Sequence, residues 1–365
     1  MSDAPLEGEI RRRIALAGPM PVGQYMALCL GHPQHGYYMT RDPLGQRGDF
    51  ITAPEISQMF GELIGLWAAA VWQQMGAPSK VRLVELGPGR GTMMRDALRA
   101  AQIMSEFYSS IAVHLIEASP VLAQRQRETL SGLGVPVIWH RSLDELPHGP
   151  QIIVANEFFD ALPVYQSVRV GGGWHERVIK IDKNGNLSFG TANEQVPQFE
   201  RLLPPGLRNA PDGACYEWRP VQAGLELGRR IARDGGAALI IDYGHSESGL
   251  GDTLQAVGGH AYADPLTSPG DVDLTAHVDF EVLADTVEIM GAIAHGPLSQ
   301  REFLLRLGIA ARAATLKAAA TAEAATGIDA ALARLVGSER GQMGELFKVI
   351  AFAEPALKSL PGFER

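Results

Sequence analysis

Cysteine is scarce in this chain of 365 residues, and its scarcity excludes two kinds of protein. The two cysteines, Cys29 and Cys215, lie far apart, and neither belongs to a C-x-x-C pair. A disulfide-stabilised domain needs several paired cysteines, and a structural zinc site needs clustered ligands. We therefore predict neither a disulfide framework nor a zinc site, and we expect a reducing compartment.

Basic charge and long apolar runs are also lacking. The 32 lysines and arginines are outnumbered by 41 aspartates and glutamates, and the one conspicuous basic run is residues 11–13. Nucleic-acid binding needs a basic surface because the bound phosphates are negative, so a net charge of −9 argues against a nucleic-acid partner. No apolar window approaches the roughly 20 residues of a membrane span, so no membrane insertion is predicted.

The beginning of the sequence is acidic and lacks an apolar stretch, which predicts neither a secretory signal nor a transit peptide. We therefore expect a cytoplasmic protein of bacterial type. With 46% hydrophobic and 20% charged residues, the composition is that of a soluble globular protein. The length allows a complete α/β domain with substantial additions.

Residues 81–91 read VRLVELGPGRG and combine an apolar run, an acid and three alternate glycines. This pattern predicts a strand, a tight turn and a helix, with Glu85 at the carboxyl end of the strand, where open α/β sheets bind ligands. Gly87, Gly89 and Gly91 can adopt dihedrals closed to other residues and let a ligand approach the backbone. The acid comes before the glycines, and the third glycine comes one residue earlier than in the dinucleotide fingerprint.

This order of acid and glycines is typical of a loop that binds S-adenosylmethionine. The carboxylate of Glu85 can face the cationic amino group of the methionine moiety, whereas it would repel a pyrophosphate. A tight turn without a ligand is the alternative interpretation of the glycines. The residues of this loop that we predict to bind the cofactor are Glu85, Gly87, Pro88, Gly89, Gly91 and Thr92.

A second cofactor signal is Glu117, which ends the second predicted strand. In a doubly wound sheet, the acid at this place hydrogen-bonds the ribose hydroxyls of an adenosine. Glu117 could instead cap the helix that begins near Pro120. A third strand at residues 135–139 leads to Ser142 and Leu143, which we predict beside the adenine, although an ordinary helix cap at Ser142 explains the same residues.

Residues 156–163 read NEFFDALP and follow a fourth predicted strand at residues 151–155. Their polar side chains emerge at the carboxyl edge of the sheet, beside the place where the transferable methyl group should lie. We assign Asn156 to the cofactor site and both acids, Glu157 and Asp160, to catalysis. A helix cap is the alternative role for Asp160.

Residues 35–56 form a polar, glycine-rich segment between two predicted helices. A loop of this length within a domain is usually functional or disordered, and this one is too rich in aromatic residues for disorder. We interpret it as a lid or wall over the methyl donor. The lid residues predicted near the substrate are Asp49, Phe50, Thr52, Pro54 and Glu55.

The order of the predicted elements is typical of an α/β protein. We predict a class I, Rossmann-like methyltransferase fold with a doubly wound, mainly parallel sheet, a helical N-terminal region and an inserted substrate-side region. Later elements are a fifth strand near residues 237–242, a helix at 273–289, a strand at 291–295 and an alanine-rich helical region at 299–325. The predicted divisions are a helical N-terminal region with the lid loop (1–78), the first part of the core (79–163), an insertion with a β meander at 164–170, 174–181 and 187–189 (164–235), the remainder of the core (236–300) and a C-terminal helical region (301–365).

Five motifs together resemble the MidA-like methyltransferases. They are GDFITAPEI at residues 48–56, ELGPGRG at 85–91, NEFFDALP at 156–163, IDYGH at 241–245 and PGDVDLTAHVDF at 269–280. The resemblance runs in matching order from about residue 14 to near residue 352. Ala53 stands where family members often have serine, which should not affect the chemistry. The family includes the mitochondrial arginine methyltransferase that acts as an assembly factor for respiratory complex I.

The resemblance implies methyl transfer from S-adenosylmethionine to a protein arginine, which in the relatives belongs to a complex I subunit. A guanidinium stays protonated at neutral pH, so the enzyme must fix its fork with carboxylates. Glu157 and Asp160 are placed to do so, and behind them lie Asp242, the third predicted catalytic acid, and Glu55 and Asp49. Orienting Tyr243 or His245, which we predict near the substrate, is the alternative role for Asp242. No metal site is predicted, because the histidines that follow the core strands lie in different segments without ligand spacing.

Two other functions fit the same residues. A small-molecule O- or N-methyltransferase would share the fold, because a fold does not fix the acceptor. A non-catalytic assembly chaperone could retain the cofactor fold for docking, although all the glycines and acids of a working enzyme are present. The insertion at 164–235 and the lid favour a large acceptor. The sequence leaves the oligomeric state and the number of methyl groups open.

Overall fold

The computed structural model describes residues 5–42, 51–259 and 261–364, and its strands fall into three sheets. In chain order the strands are β1 (Met20–Pro21), β2 (Val81–Leu86), β3 (Ile111–Ile116), β4 (Val137–His140), β5 (Gln151–Asn156), β6 (Tyr165–Val170), β7 (Gly173–Ile181), β8 (Leu187–Gln195), β9 (Cys215–Trp218), β10 (Gly236–His245), β11 (Gln255–Gly258), β12 (Ala261–Ala263), β13 (Asp273–Thr275), β14 (Val278–Asp279), β15 (Ile293–Ser299) and β16 (Phe347–Ala353).

The helices cover both faces of the largest sheet and build the N-terminal region. In chain order they are α1 (Pro5–Ala17), α2 (Val22–Gly31), α3 (Tyr37–Thr40), α4 (Ala53–Ile56), α5 (Gln58–Gln74), α6 (Thr92–Ala101), α7 (Ser105–Ser110), α8 (Pro120–Thr129), α9 (Gln222–Asp234), α10 (Phe280–Glu288), α11 (Gln300–Arg306), α12 (Ile309–Ala318) and α13 (Ala322–Val336). None of the helices in the described part of the chain has the length and apolarity needed to cross a membrane.

The largest sheet has the strand order β15-β16-β10-β5-β2-β3-β4, and β14 pairs with the end of β10. The pairs from β10 to β4 are parallel, whereas β16 is antiparallel to both β10 and β15. The chain leaves β2 toward β3 and β4 and then returns to β5 on the other side of β2, so the strand order reverses between β2 and β5. This topology confirms the predicted doubly wound class I fold.

The alternation of side chains along β10 shows how the core is divided. Ala237, Leu239 and Ile241 face an apolar cluster built with α5, α6 and α11 to α13. Ala238 and Ile240 face a second cluster, built with α9 and α10. Because successive side chains point to opposite faces, a central strand covered by helices on both sides must be apolar throughout. The sheet is therefore the middle layer of three.

Strand β16 was not predicted, and it lies inside the 301–365 region that was predicted to be helical. Its seven residues pair with β10 from Phe347 to Ala353, between β10 and β15. Residues 349–353 are all buried. A short run that is buried on both faces has no alternation of polar and apolar residues, so periodicity cannot distinguish it from a buried helix.

The predicted helix at 273–289 is shorter than expected. Residues Asp273–Thr275 form β13 and pair with β11, and α10 begins at Phe280. The side chain of Asp279 caps this helix by accepting a hydrogen bond from the backbone nitrogen of Val282 at 3.0 Å. The strand predicted at 291–295 is β15. The third strand of the meander also extends further than predicted, to Gln195.

Two smaller sheets connect the N-terminal region and the insertion to the core. One has the order β1-β7-β6-β9, with β8 paired to β7, so β1 of the N-terminal region joins a sheet of the insertion. The other has the order β12-β11-β13. An apolar cluster that includes Leu6, Tyr25, Ile179 and Leu274 joins α1 and α2 to both small sheets. The division into the five predicted regions stays a prediction.

The close packing of α5 against α6 predicts the effects of two glycine substitutions. A Cβ at Gly65 would lie 2.3 Å from the carbonyl oxygen of Ala97, so Gly65→Ala must separate the two helices. We expect a loss of about 2 kcal/mol in the free energy of unfolding. A Cβ added to Gly327 in α13 would meet no atom within 4 Å, so Gly327→Ala should gain about 0.5–1 kcal/mol through helix propensity. Denaturant unfolding of both variants is the measurement, and an unchanged stability of Gly65→Ala would contradict the packing argument.

Candidate active site

A cavity of about 1420 Å³ opens at the carboxyl edge of the large sheet. Its lining comes from the loop after β2, the residues after β3 and β5, the end of β10, and helices α3 and α4. Small-molecule pockets usually enclose about 300–1,000 Å³, so this cavity has room for a cofactor and for part of an acceptor. It lies at the strand-order reversal between β2 and β5, where doubly wound sheets bind ligands.

The loop after β2 has the backbone conformation that its glycines allow. Gly87, Gly89 and Gly91 have φ angles of 61°, 54° and 80°, in the left-handed region. A Cβ on Gly87 would be 2.9 Å from the ring of Phe158. Gly91 precedes α6 and is not among the described residues that line the cavity, so its contribution is to the turn. The loop residues that line the cavity are Gly87, Pro88, Gly89, Arg90 and Thr92.

Glu85 presents a buried carboxylate to this loop. Its residue is 2% exposed, and its Oε2 atom has no hydrogen-bond partner within the described ranges. Burial raises the pKa of Glu85 to about 8, and the neighbouring carboxylate of Glu117 contributes to the rise. A buried carboxylate with an open oxygen is costly unless a cation pairs with it. The ammonium of a methionine moiety fits this requirement.

Glu117 follows β3 and is held by two hydrogen bonds. Its Oε1 atom accepts from the backbone nitrogen of Ser119 at 2.7 Å, and its Oε2 atom accepts from Nε2 of Gln126 at 2.9 Å. Nε2 of Gln126 also donates to the carbonyl oxygen of Gly89 at 2.8 Å. Gln126 thus joins the predicted ribose acid to the glycine loop. The sequence gives no signal for this role, because a glutamine on a polar helix is usually a surface residue.

Three more residues predicted to bind the cofactor also line the cavity, Ser142 and Leu143 on the predicted adenine side and Asn156. Ser142 and Leu143 lie there after β4, and Asn156 lies there at the end of β5. Leu143 packs against the same apolar cluster as Phe158 and Ala223, which gives this part of the cavity an apolar wall suited to a flat base. Asn156 is a buried amide whose Oδ1 atom has no partner in the described part of the chain.

A single carboxylate holds the loop that follows β5. The Oδ2 atom of Asp242 accepts hydrogen bonds from the backbone nitrogens of Phe158, Phe159 and Asp160 at 3.2, 2.9 and 3.2 Å. Its Oδ1 atom accepts from the backbone nitrogen of Tyr243 at 2.9 Å. Asp242 is fully buried and is not among the described residues that line the cavity. In place of the predicted catalytic role, we therefore propose that Asp242 positions this loop.

Glu157 lies on that loop and lines the cavity. Its φ angle is 52°, which is uncommon for a residue other than glycine. Its backbone nitrogen donates to the carbonyl oxygen of Ile241 at 2.9 Å. Its Oε1 atom accepts from Nδ2 of Asn156 at 3.0 Å and from the backbone nitrogen of Ala53 at 3.3 Å. Burial raises the pKa of Glu157 to about 7, and the nearby Asp160 carboxylate adds to this rise.

Asp160 lines the cavity next to Glu157 and is 4% exposed. Its Oδ1 atom is buried without a hydrogen-bond partner among the residues described. Burial raises the pKa of Asp160, whereas the hydrogen bond with the Tyr243 hydroxyl and the charge of Arg219 lower it. Tyr243, predicted near the substrate, also lines the cavity. The structure therefore brings together both predicted acids of the NEFFDALP motif.

Three of the five predicted lid residues belong to the described part of the chain. Thr52, Pro54 and Glu55 line the cavity, and Oε1 of Glu55 accepts a hydrogen bond from Oγ1 of Thr92 at 2.5 Å. This bond joins the lid to the first turn of α6. The other two predicted lid residues, Asp49 and Phe50, lie outside the described residues.

His245 is the predicted substrate-side residue that lies apart from the others. It is not among the described residues that line the cavity, and its Nδ1 atom is 2.7 Å from the carbonyl oxygen of Glu247. His245 is the last residue of β10, and this contact ties it to the loop that follows the strand. We therefore do not propose that His245 contacts the substrate.

Several residues of the cavity wall were missed by sequence reasoning. The hydroxyl of Tyr38 donates to Oδ2 of Asp273 at 2.8 Å, and both residues line the cavity. Asp273 falls in a stretch predicted as helix, where an acid is expected to face solvent. The signal that could have located it is the alternation of Asp273, Thr275 and His277, since a spacing of two is the period of a strand.

The sheet order, the glycine loop and the acids at the carboxyl edge define a class I methyltransferase. Comparison with known families agrees, because a family model described as "Putative S-adenosyl-L-methionine-dependent methyltransferase" matches residues 63–298. The chain belongs to this family, as its resemblance to the MidA-like enzymes predicts. S-adenosylmethionine is therefore its methyl donor.

Individual relatives are similar to this chain over most of their length. The Drosophila melanogaster protein named "Protein arginine methyltransferase NDUFAF7 homolog, mitochondrial" is 39% identical over 376 residues, which cover 95% of this chain and 84% of that protein. The Homo sapiens protein arginine methyltransferase NDUFAF7 is 37% identical over 338 residues, covering 84% and 74%. A Burkholderia thailandensis protein crystallised with S-adenosyl-homocysteine superimposes with a TM-score of 0.88 at 31% identity, covering 99% of this chain and 94% of that one.

The raised pKa of Glu85 predicts that cofactor binding releases protons. The pKa of Glu85 is about 8, so most molecules of the free protein carry a proton there at pH 7. Pairing with the ligand ammonium favours the ionised carboxylate, so most of one proton should leave, and affinity should rise between pH 7 and 8. Titration calorimetry in two buffers of different ionisation enthalpy measures this release. Glu85→Gln should bind more weakly and release less; a wild-type enthalpy independent of the buffer would contradict the assignment.

A pair of substitutions separates the donor site from the acceptor site. Glu117→Ala should weaken S-adenosylmethionine binding about tenfold or more, because the ribose partner and the tie to Gln126 are both lost. Glu157→Gln should keep the cofactor affinity and lose turnover, because the amide retains the shape but not the charge. Calorimetry gives the affinities and a methyl-transfer assay gives the turnover. An equal loss of cofactor affinity in both variants would refute the division of roles.

Proposed function

We propose that this methyltransferase acts on an arginine side chain of a protein. The observation that carries the proposal is the pair of acids on one loop of the donor cavity, Asp160 buried and Glu157 partly buried. Burial raises the pKa of both, although the charge of Arg219 lowers that of Asp160, so a further positive charge in the cavity would stabilise both carboxylates. A guanidinium is a permanent cation with a planar fork of donors that suits two carboxylates. The relatives that carry the name protein arginine methyltransferase support the same acceptor.

The geometry of the loop suits an acceptor that must be held in one orientation. Oδ1 of Asp160 has no hydrogen-bond partner among the described residues, so it can accept a bond from the acceptor group. The Tyr243 hydroxyl is hydrogen-bonded to the same carboxylate. The three hydrogen bonds from backbone amides to Asp242 fix the backbone of this loop. Side chains locked in this way hold a reacting group with little loss of entropy at the moment of reaction.

Methyl transfer needs few groups from the protein. The bound cofactor supplies an electrophilic methyl group on a sulfonium sulfur. Glu157 and Asp160 would accept N–H bonds from the guanidinium, keep one nitrogen in line with the methyl carbon and draw the positive charge toward the other nitrogens. The attacking nitrogen forms its bond to carbon as the carbon–sulfur bond breaks, and it then loses a proton. Glu157, whose pKa is about 7, is matched to receive that proton near neutral pH.

The partner and the compartment are part of the proposal. From the family resemblance, we propose that the acceptor is the complex I subunit that corresponds to the relatives' target, methylated before assembly buries the site. The net charge of −9 favours a basic segment as the acceptor. The named relatives are mitochondrial, whereas the cytoplasmic location of this chain stays a prediction.

Mass spectrometry of that subunit tests the acceptor. Subunit from cells with the gene should carry a methylated arginine, and subunit from a deletion strain should not. Complementation with Glu157→Gln is the matched control, since the protein should still bind cofactor but leave the arginine unmodified. Replacing the target arginine by lysine should slow methylation at least tenfold, because a point charge cannot engage both acids as a planar fork.

The contrary results point to the other functions. Arginine methylation that persists in the deletion strain, or a lysine that is methylated as readily, would refute the proposal. Radiolabelled S-adenosylmethionine added to a lysate of the deletion strain with purified enzyme gives the complementary result. Label on small molecules alone would indicate a small-molecule methyltransferase, and the absence of any label would indicate a binding chaperone.

A further inference from the structure

One face of the small sheet β12-β11-β13 forms a wall of the cavity. Its members that line the cavity are Gln255, Val257, Tyr262, Asp273 and Thr275. On β11 and on β13 these residues are two positions apart, so they share a face. The intervening residues Ala256 and Leu274 are buried in the apolar cluster of the N-terminal helices. The sheet is therefore fixed on one side and presents the other to the cavity.

A cross-strand row on this face runs from the solvent to the buried carboxylate of Asp273. In the antiparallel register, Tyr262 lies opposite Val257, and Val257 lies opposite Asp273. Tyr262 is 79% exposed although it lines the cavity, so it lies at the mouth. Asp273 accepts the hydroxyl of Tyr38 at the inner end of the row. An aromatic ring, an aliphatic side chain and a carboxylate therefore follow one another inward.

A second row joins the same face to the catalytic loop. Nε2 of Gln255 donates to Oγ1 of Thr275 at 3.3 Å. Thr275 is hydrogen-bonded to the hydroxyl of Tyr243, and this hydroxyl is hydrogen-bonded to Asp160. The wall and the acid-bearing loop are thus held in one network, so a chain lying on the wall has a fixed position relative to Asp160.

We propose that this face is the surface on which the acceptor polypeptide docks, with Tyr262 as a specificity-determining contact outside the chemistry. The inference rests on the proposed arginine acceptor. An arginine side chain has an apolar stem and a charged head, and the row offers an aliphatic contact followed by a carboxylate. Exposed tyrosines anchor protein interfaces because a rigid ring buries a large area on binding. A small molecule enclosed by the cavity would not need a ring at the exposed mouth.

Truncation of the ring tests the docking surface. Tyr262→Ala should raise the acceptor concentration needed for half-maximal methylation about tenfold and leave the maximal rate and the S-adenosylmethionine affinity unchanged. Tyr262→Phe keeps the ring and should behave like the wild type. Leu202→Ala is the matched control, because Leu202 is 76% exposed in the insertion and is not a cavity residue. The acceptor is supplied as protein extract of the deletion strain, whose concentration is varied at a fixed, saturating concentration of radiolabelled cofactor. The label incorporated into arginine is counted.

The outcomes distinguish this inference from the function on which it rests. If the wild type labels arginine and Tyr262→Ala saturates at the same extract concentration, the docking surface is refuted and the arginine acceptor stands. A weaker cofactor affinity in Tyr262→Ala would place the ring in the donor site and also overturn the inference. Label on small molecules alone with the wild-type enzyme would refute the proposed function itself.

Discussion

The contact on which the rest of the site depends is the carboxylate of Asp242 against three successive backbone amides. These hydrogen bonds fix residues 158–160 at the end of β5. Glu157, which precedes these three residues, keeps its left-handed backbone conformation. Asp160, the last of the three, places its side chain in the cavity. Burial and the neighbouring acids raise the pKa of Asp242 well above its usual range, whereas the amides favour its charged form. Hydrogen bonds to a buried carboxylate are strong, so this anchor is rigid.

The carboxyl groups of the cavity explain why positively charged ligands suit it. Glu85 and Asp160 are buried and Glu157 is partly buried, all three line the cavity, and burial raises the pKa of each. A protein would not keep such a group for stability, because unpaired buried charge is destabilising. The arrangement is explained if each binding partner brings a positive charge, as an ammonium, a sulfonium and a guanidinium do. Donor and acceptor would then each relieve a repulsion that the free protein carries.

How much of this could be predicted depends on whether a feature is local in sequence. The order of Glu85 and the glycines predicted the strand, turn and helix at residues 81–101, because such a unit is specified by adjacent residues. The role of Asp242 could not be predicted, since its partners lie more than eighty positions earlier in the chain. Strand β16 was not predicted for a related reason, because a strand buried on both faces lacks the alternation of polar and apolar residues that identifies strands. Tyr38 and Asp273 form a pair only after α3 and β13 are brought together.

The position of β16 has a consequence for the synthesis of the protein. Among the strands of the large sheet, β16 is the last to be translated, yet it lies between β10 and β15. Until it has emerged from the ribosome, one edge of β10 has no strand beside it, and Asp242, opposite Lys348 in the register, is not held from that side. A nascent chain therefore exposes an unpaired apolar edge while the stretch between β10 and β16 is synthesised, which is a site for wrong pairing. Competence to bind the methyl donor should consequently arise only after β16 has emerged, in one step with closure of the sheet.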